Sequence, residues 1–409
     1  MKEFFKVTDL QQVLAHAADF PRVETEDVPL DKAAGRILAE DIISDVDLPD
    51  FRRATMDGYA VKAASTFGST EGNPAFFTIK GIVEMGEFPK FSIAPGQAAK
   101  ISTGGVLPDG TDSVVMIEHT EAVDNITIEV YKSVAPGQNV IAKGEDFQKG
   151  DIILSCGRKL RSQETGLLAA FGRETIRVFR RPAIAIISTG DEVVPINAIP
   201  GPGQIRDINS YTLATLAQGA GGVPITLGIV GDNFGELFES CTTALAQSDM
   251  VLISGGSSVG TRDFTVEVLS ALPDAGILVH GISISPGKPT ILARSGNHAI
   301  WGLPGHVVST MVVFEIVVRP FIERIAGLAP EHKKIFRPSA LLSRNLSSAQ
   351  GRIDYVRVRL IAKEGVLWAE PILGKSGLIH TMVKADGLIE IGINSEGLNK
   401  GTVVDVILI

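Results

Sequence analysis

The chain has 409 residues, 44% hydrophobic and 21% charged, which is too long for one core and apolar enough for several, so global disorder is excluded. Its 47 acidic and 38 basic residues give a net charge of −9, and no Lys/Arg-rich run stands out, which argues against nucleic acid as a partner. Cys156 and Cys241 stand alone without a CxxC or a His/Cys cluster, so neither a disulfide framework nor a thiolate metal site is expected, and both read as small core residues.

In chain order, residues 8–19 read as a helix opened by a Thr8/Gln11 capping box, with Leu10, Val13, Leu14 and Ala17 on one face. The N-terminus has no apolar h-region, and no later stretch reaches the roughly 20 apolar residues of a membrane span, so a soluble, cytoplasmic protein is expected. A second helix is expected from Leu30 to Asp41. From Ala54 to about residue 142, short β-branched runs split by Pro and Gly predict a small β-rich module. Helical spacing returns at Ser162 to Phe171.

Residues 183–320 alternate short apolar strands (AIAIIS, PITLGIV, DMVLIS) with amphipathic helices, one from Asn209 and one capped by Asn233 with Glu236. That alternation predicts a parallel, helix-covered sheet in an α/β multidomain chain. The apolar run Val307 to Val318 is broken by Ser309, Thr310 and Glu315, and reads as a buried helix. After about residue 330, strict alternation in YVRVRLIA and TVVDVILI predicts a small β-barrel or sandwich.

Ligands of open parallel sheets bind beyond the carboxyl ends of the strands, so the residues that follow each strand carry the functional expectation. AIAIIS runs into Thr189-Gly190-Asp191-Glu192. DMVLIS runs into Gly255-Gly256-Ser257-Ser258-Val259-Gly260, then Arg262 and Asp263. The glycines bring backbone N–H groups close to an oxyanion, and a helix N-terminus follows, so this loop is a candidate phosphate cradle. Glu192 and Asp263 beside a phosphate repel it unless a divalent cation lies between, and Mg²⁺ suits one or two carboxylates plus phosphate oxygens. Each acid also has a plain reading, Asp263 and Asp232 as helix-start residues and Glu192 as a solvated loop residue. Lys288 reads as a phosphate contact or a surface lysine, and His306, without a zinc-spaced partner, as a cap or core histidine.

Taken together and in order, ATMDGYA, ISTGG, GEDF, STGDE, GQIRDINSY, GGSSVGTRDF, PGKPT, GLPGH and KSGLIHTMVKADGLIEI resemble the MoeA and gephyrin E-domain family over essentially the whole chain. The resemblance implies a dimer of four-domain subunits. These are a helical stalk (1–50 and 143–177), an inserted β-rich domain (51–142), a domain similar to the molybdopterin-adenylating enzymes (178–328) and a C-terminal small β-barrel (329–409). It implies Mg²⁺-dependent insertion of molybdenum from molybdate into adenylylated molybdopterin, with release of AMP. Further partners would be the adenylating enzyme and molybdoenzyme apoproteins.

By motif, Asp57, Asp146, Glu192, Asp232 and Asp263 match the family's catalytic acids, with Glu192 and Asp263 holding the metal. Thr103, Gly255, Gly256, Ser257, Ser258, Gly260, Lys288 and Ser376 match its substrate contacts. The chain departs from the family at Ile141, Gly281 and Ser285, which stand where basic residues are usual, and this keeps a second reading open: a paralogue that carries the pterin nucleotide without chemistry.

Overall fold

The computed structural model describes residues 7–255 and 264–409. The chain divides into two compact units, one formed by 1–40 with 156–409 and one by 41–155.

Within 41–155 the β-branched runs form one six-stranded sheet, ordered Ser113–Met116, Gly58–Val61, Gln97–Ile101, Ala75–Ile82, Thr127–Val130, Thr120–Ala122. Both faces are covered, because successive side chains point oppositely. Tyr59 and Val61 join Phe77, Val115 and Ile128 on one side, while Ala60 joins Ala99, Ile101 and Val114 on the other. Gly58 opens the second strand where only a hydrogen fits, since a Cβ would lie 1.9 Å from the Val115 carbonyl oxygen.

In the larger unit the βαβ expectation holds. The strands are β1 (Ala183–Thr189), β2 (Val223–Val230), β3 (Met250–Ser254), β4 (Ala275–His280), β5 (Ile291–Ser295) and β6 (His298–Leu303). The helices are α1 (Asn209–Gly219), α2 (Phe234–Gln247), α3 (Phe264–Ala271) and α4 (Val307–Val313), the last running through a π-helical turn into α5 (Arg319–Ile325). The order is β2-β1-β3-β6-β5-β4, with β2, β1, β3 and β6 mutually parallel. The sheet is not wholly parallel: β5 runs antiparallel to β6 and β4, because β5 and β6 are joined by a tight turn at Gly296 (φ +54°) that leaves no room for a crossover. Ile184, Ile186, Met250, Leu252 and Trp301 face α1, α4 and α5, and Ala185, Ile187, Val251 and Ile253 face α2 and α3. This two-sided burial is why the strands read as continuous apolar runs. Cys241 on α2 is wholly buried, which pushes its thiol up to about 12, whereas Cys156 is only half-buried.

Two helices expected near the N-terminus are shorter or absent. The first spans Leu10–Ala15 and is capped by Asp9, whose Oδ1 accepts the Gln11 N–H at 2.8 Å. Thr8 cannot cap it, because its backbone is tied across to Gly281 and Ser283. Leu30 to Asp41 holds only the 3₁₀ turn Leu30–Lys32. Gly35 then breaks the chain direction (φ +78°), and Ile37–Leu38 joins a three-stranded sheet with Thr175–Phe179 and Thr25–Pro29. The helix Ser162–Ala170 forms as expected.

At the C-terminus, Ile353–Lys363, Val366–Pro371, Ser339–Leu342, Val403–Leu408 and Gly387–Ile391 close into a five-stranded barrel, the last strand pairing back to the first. Ile284–Ser285 adds to its edge in parallel, Ser285 opposite Asp354, and Tyr355 and Leu388 share the Trp301 core. Among the described residues no helix is long and apolar enough to cross a membrane.

Glu164 shows how a local charge holds an element. Its side chain is 4% exposed and accepts the Arg161 N–H at 2.9 Å and two guanidinium donors of Arg161 at 3.0 and 2.6 Å. Those hydrogen bonds, led by the guanidinium, outweigh burial and depress the carboxyl to about 2 from 4.5. A depressed carboxylate stabilises above the unfolded-state value, and the contribution fades as pH falls from 4.5 towards about 2. Glu164→Gln is expected to cost about 2 kcal/mol near neutrality. Thermal melts of both proteins should show the gap closing as pH drops through that window; a gap independent of pH would refute the role.

Candidate functional site

The carboxyl ends of β1, β3 and β6 lie side by side, with Ser188 opposite Ser254 and Ser254 opposite Leu303. The loops leaving them are held in contact by glycine. Gly255 has φ +113°, and a Cβ there would stand 2.3 Å from the Thr189 carbonyl oxygen; Gly305 comes next, with the Gly255 Cα 3.7 Å from its own Cβ position. Gly190 has the same character (φ +140°), since a Cβ would lie 2.7 Å from Oε2 of Glu192. Glycine therefore provides the space that the Glu192 carboxylate occupies.

These loops enclose a cleft of ≈ 490 Å³ lined by Thr189, Glu192, Asn209, Gly255 and His306 among others. Asn209, at the start of α1, bridges two walls: its Nδ2 donates to Ser254 Oγ at 2.6 Å and to the Gly305 carbonyl at 2.8 Å. Among the described residues its Oδ1 and the Thr189 hydroxyl are buried without partners. Buried, unsatisfied polar atoms are uncommon, and two in one cleft mark a place where a ligand or water completes the hydrogen bonding. Asp207 fixes the helix start to the strand, accepting the Ser188 hydroxyl at 2.9 Å and the Ser210 N–H at 3.0 Å. The far wall is anchored by Ser376, whose Oγ lies 3.0 Å from His306 Nδ1 and whose carbonyl accepts the Val308 N–H. His306 thus precedes α4 and joins the 374–378 segment to it.

Negative charge collects at one end. Asp232, just after β2, donates its N–H to Asp191 Oδ1 at 2.9 Å. Its carboxyl is raised above the ordinary range by burial first and then by the charges of Asp191 and Glu192. The charges of Asp191 and Glu192 thus act on one partly buried carboxyl. Among the described residues no three His, Cys, Asp or Glu side chains form a group that could hold a metal ion.

Lys288 is exposed, beside Pro289 in the cleft wall, and its carbonyl accepts the Ile282 N–H. Gly256, Ser257, Ser258, Gly260 and Asp263 lie outside the described residues. In the other unit, Asp57 Oδ1 accepts both the N–H of Thr103 at 2.7 Å and its hydroxyl at 2.9 Å, which hold the exposed carboxyl below its usual range. Asp146 is exposed there, its N–H bound to the Leu48 carbonyl, and Lys143 pairs with Asp47 at 3.4 Å. Ile141, at a position expected to be basic, stands directly opposite Arg53 on the neighbouring strand.

Three residues escaped the sequence reading. Asn209 and Asp207 looked like ordinary helix-start residues. Arg357, in an alternating strand, donates to the Gly374 carbonyl at 2.9 Å and among the described residues leaves a buried Nε unpaired, and desolvation lowers its affinity for the proton. It is a cation set beside the segment that carries Ser376. Asp191→Asn should remove one of the charges acting on Asp232 and return its carboxyl towards the ordinary range. Carboxyl-carbon NMR titration would read the shift, and an unmoved Asp232 would contradict the electrostatic coupling.

Comparison with known proteins agrees with this geometry. Three family models match: the MoeA N-terminal region (domain I and II) over residues 6–172, a probable molybdopterin binding domain over 185–324, and the MoeA C-terminal region (domain IV) over 339–409. A putative molybdopterin biosynthesis protein of Methanocaldococcus jannaschii is 38% identical over 94% of this chain and 92% of its own. The molybdopterin molybdenumtransferase of Bacillus subtilis is 32% identical over 94% and 90%. The crystal structure of a molybdopterin biosynthesis MoeA protein from Pyrococcus horikoshii matches with a TM-score of 0.85 at 30% identity, covering 99% of this chain and 100% of that one. The chain is a member of the MoeA family of molybdenum-cofactor biosynthesis.

Proposed function

We propose that the chain is a molybdopterin molybdenumtransferase that inserts molybdenum from molybdate into adenylylated molybdopterin and releases AMP. The observation that carries this reading is the convergence of Thr189–Glu192, Ser254–Gly255 and Pro304–His306 on one cleft holding two unsatisfied buried polar atoms. In this reading the Gly255 loop presents backbone N–H groups to the substrate's phosphates. Thr189 and Asn209 orient the nucleotide, and Glu192 with Asp232 and Asp263 would hold Mg²⁺. The cation supplies neutralisation of phosphate charge. Water then adds at phosphorus, the P–O bond to the adenylate breaks, and AMP leaves. The two pterin thiols displace oxygens of molybdate, which leave as water carrying the thiol protons, so no protein cysteine is needed. The barrel side, with Ser376 and Arg357, is the proposed oxyanion end.

Asp57, Thr103 and Asp146 complete the site in a homodimer, supplied by the partner's 41–155 unit, and the protein works in the cytoplasm with the adenylating enzyme and molybdoenzyme apoproteins. A carrier role is the second reading, favoured by Ile141, Gly281 and Ser285 at positions usually basic in the family.

Reconstitution with adenylylated molybdopterin, Mg²⁺ and molybdate separates the two, since an insertase yields both AMP and bound metal and a carrier neither. Asp57→Ala and Glu192→Ala should each lower insertion by about 100-fold or more with unchanged melting temperatures, as loss of a positioned charge in a catalytic site does. Mixing Asp57→Ala with Asp263→Ala subunits should restore part of the activity, because one intact site forms per mixed dimer. Ser285→Lys should lower the molybdate concentration for half-maximal insertion, more so at low salt. Unchanged AMP release in both single variants would remove the site assignment, and a monomer by light scattering would remove the shared cleft.

A further inference from the structure

A second cleft, of ≈ 390 Å³, opens among the turn at Gly35–Ile37, residues 158–161, the strand end Phe179–Arg181, the carboxyl end of α1 and the segment after α5. In a protein of net charge −9 its walls carry nine arginines and lysines against three glutamates. Much of this charge is answered. Arg158 and Arg161 face Glu164, Arg180 is held by Glu24 and Asp249, Arg319 by Glu315, and Lys333 by Glu323.

What is left over points one way. Among the described residues Lys159, Arg181 and Lys334 make no ion pair, and all three are exposed at the cleft. Arg36, its side chain 10% exposed, bonds to Glu26 and the Phe179 carbonyl and still has an unpaired Nε in the wall. Glu331 is the one acid of the lining without a cation partner among the described residues. The carbonyl end of α1 adds only roughly half a negative charge. A net surplus of positive charge therefore faces a concave space of the size that takes a small ligand.

We propose that this cleft is an anion site, separate from the strand-end cleft, for a compact ligand carrying two or more phosphate charges. Two ammonium groups and a guanidinium around one hollow match phosphate oxygens as point charges and a fork, respectively. The volume suits a diphosphate or a small phosphorylated metabolite and is too small for a folded peptide or a nucleic-acid duplex. The proposal does not rest on the transferase reading.

The test is calorimetric titration of the full chain with inorganic pyrophosphate, at about 50 mM and about 300 mM salt. Pyrophosphate should bind this cleft with an affinity that falls as salt rises, and inorganic phosphate should bind more weakly. The triple variant Lys159→Ala/Arg181→Ala/Lys334→Ala should bind about tenfold more weakly or worse, each lost charge-assisted contact contributing. Because the three side chains are exposed and unpaired, its melting temperature should stay unchanged. No binding at low salt would overturn the proposal, as would an affinity unchanged in the folded triple variant, since the pyrophosphate would then sit elsewhere. Citrate bound as tightly as pyrophosphate would overturn the phosphate preference.

Discussion

The structure depends on a backbone contact that only glycine permits. Gly255, directly after β3, lies so near the end of β1 that a Cβ there would stand 2.3 Å from the Thr189 carbonyl oxygen, and Gly305 after β6 comes up beside it. Once three parallel strands end in register, this contact decides whether their loops form one hollow or three separate turns. Asn209 then locks the arrangement with two hydrogen bonds, one to each neighbouring loop. The cleft, its buried unsatisfied oxygens and the crowding of Asp191, Glu192 and Asp232 all follow from that convergence.

The barrel completes the site instead of merely following it in sequence. Ser285 pairs with Asp354 across the domain junction, Tyr355 is buried in the Trp301 core, and Ser376 is tied to His306 at the head of α4. Arg357 comes with the same strand. Arg53 stands opposite Ile141 on the neighbouring strand, and Arg357 lies beside the segment that carries Ser376.

Much of this was legible in the sequence, for physical reasons. The α/β region announced itself because strands buried on both faces are apolar without interruption and their helices are capped locally, as at Asn233. Strict alternation made the C-terminal β module legible as a barrel or sandwich, and the family resemblance implied the barrel. What failed were elements whose conformation is decided by distant partners. Thr8 is extended because Gly281 and Ser283 hold it, and Ile37–Leu38 is a strand because Val178 and Phe179 pair with it. The reversed β5 was hidden because an apolar run does not reveal its direction. Of the site, the glycine loops and Glu192 stood out by position at strand ends, and Asp57 with Thr103 only through the family resemblance. Asn209, Asp207 and Arg357 look ordinary in sequence, and their importance lies in what they touch.

The central claim is that the loops after β1, β3 and β6 act as one ligand-binding surface. Amide hydrogen exchange of the full-length protein, with and without saturating adenylylated molybdopterin and Mg²⁺, tests it most directly. The account predicts slowed exchange at residues 190–192, at Gly255 and at residues 305–308 together. Unchanged exchange at all three, with protection confined to other parts of the chain, would contradict it.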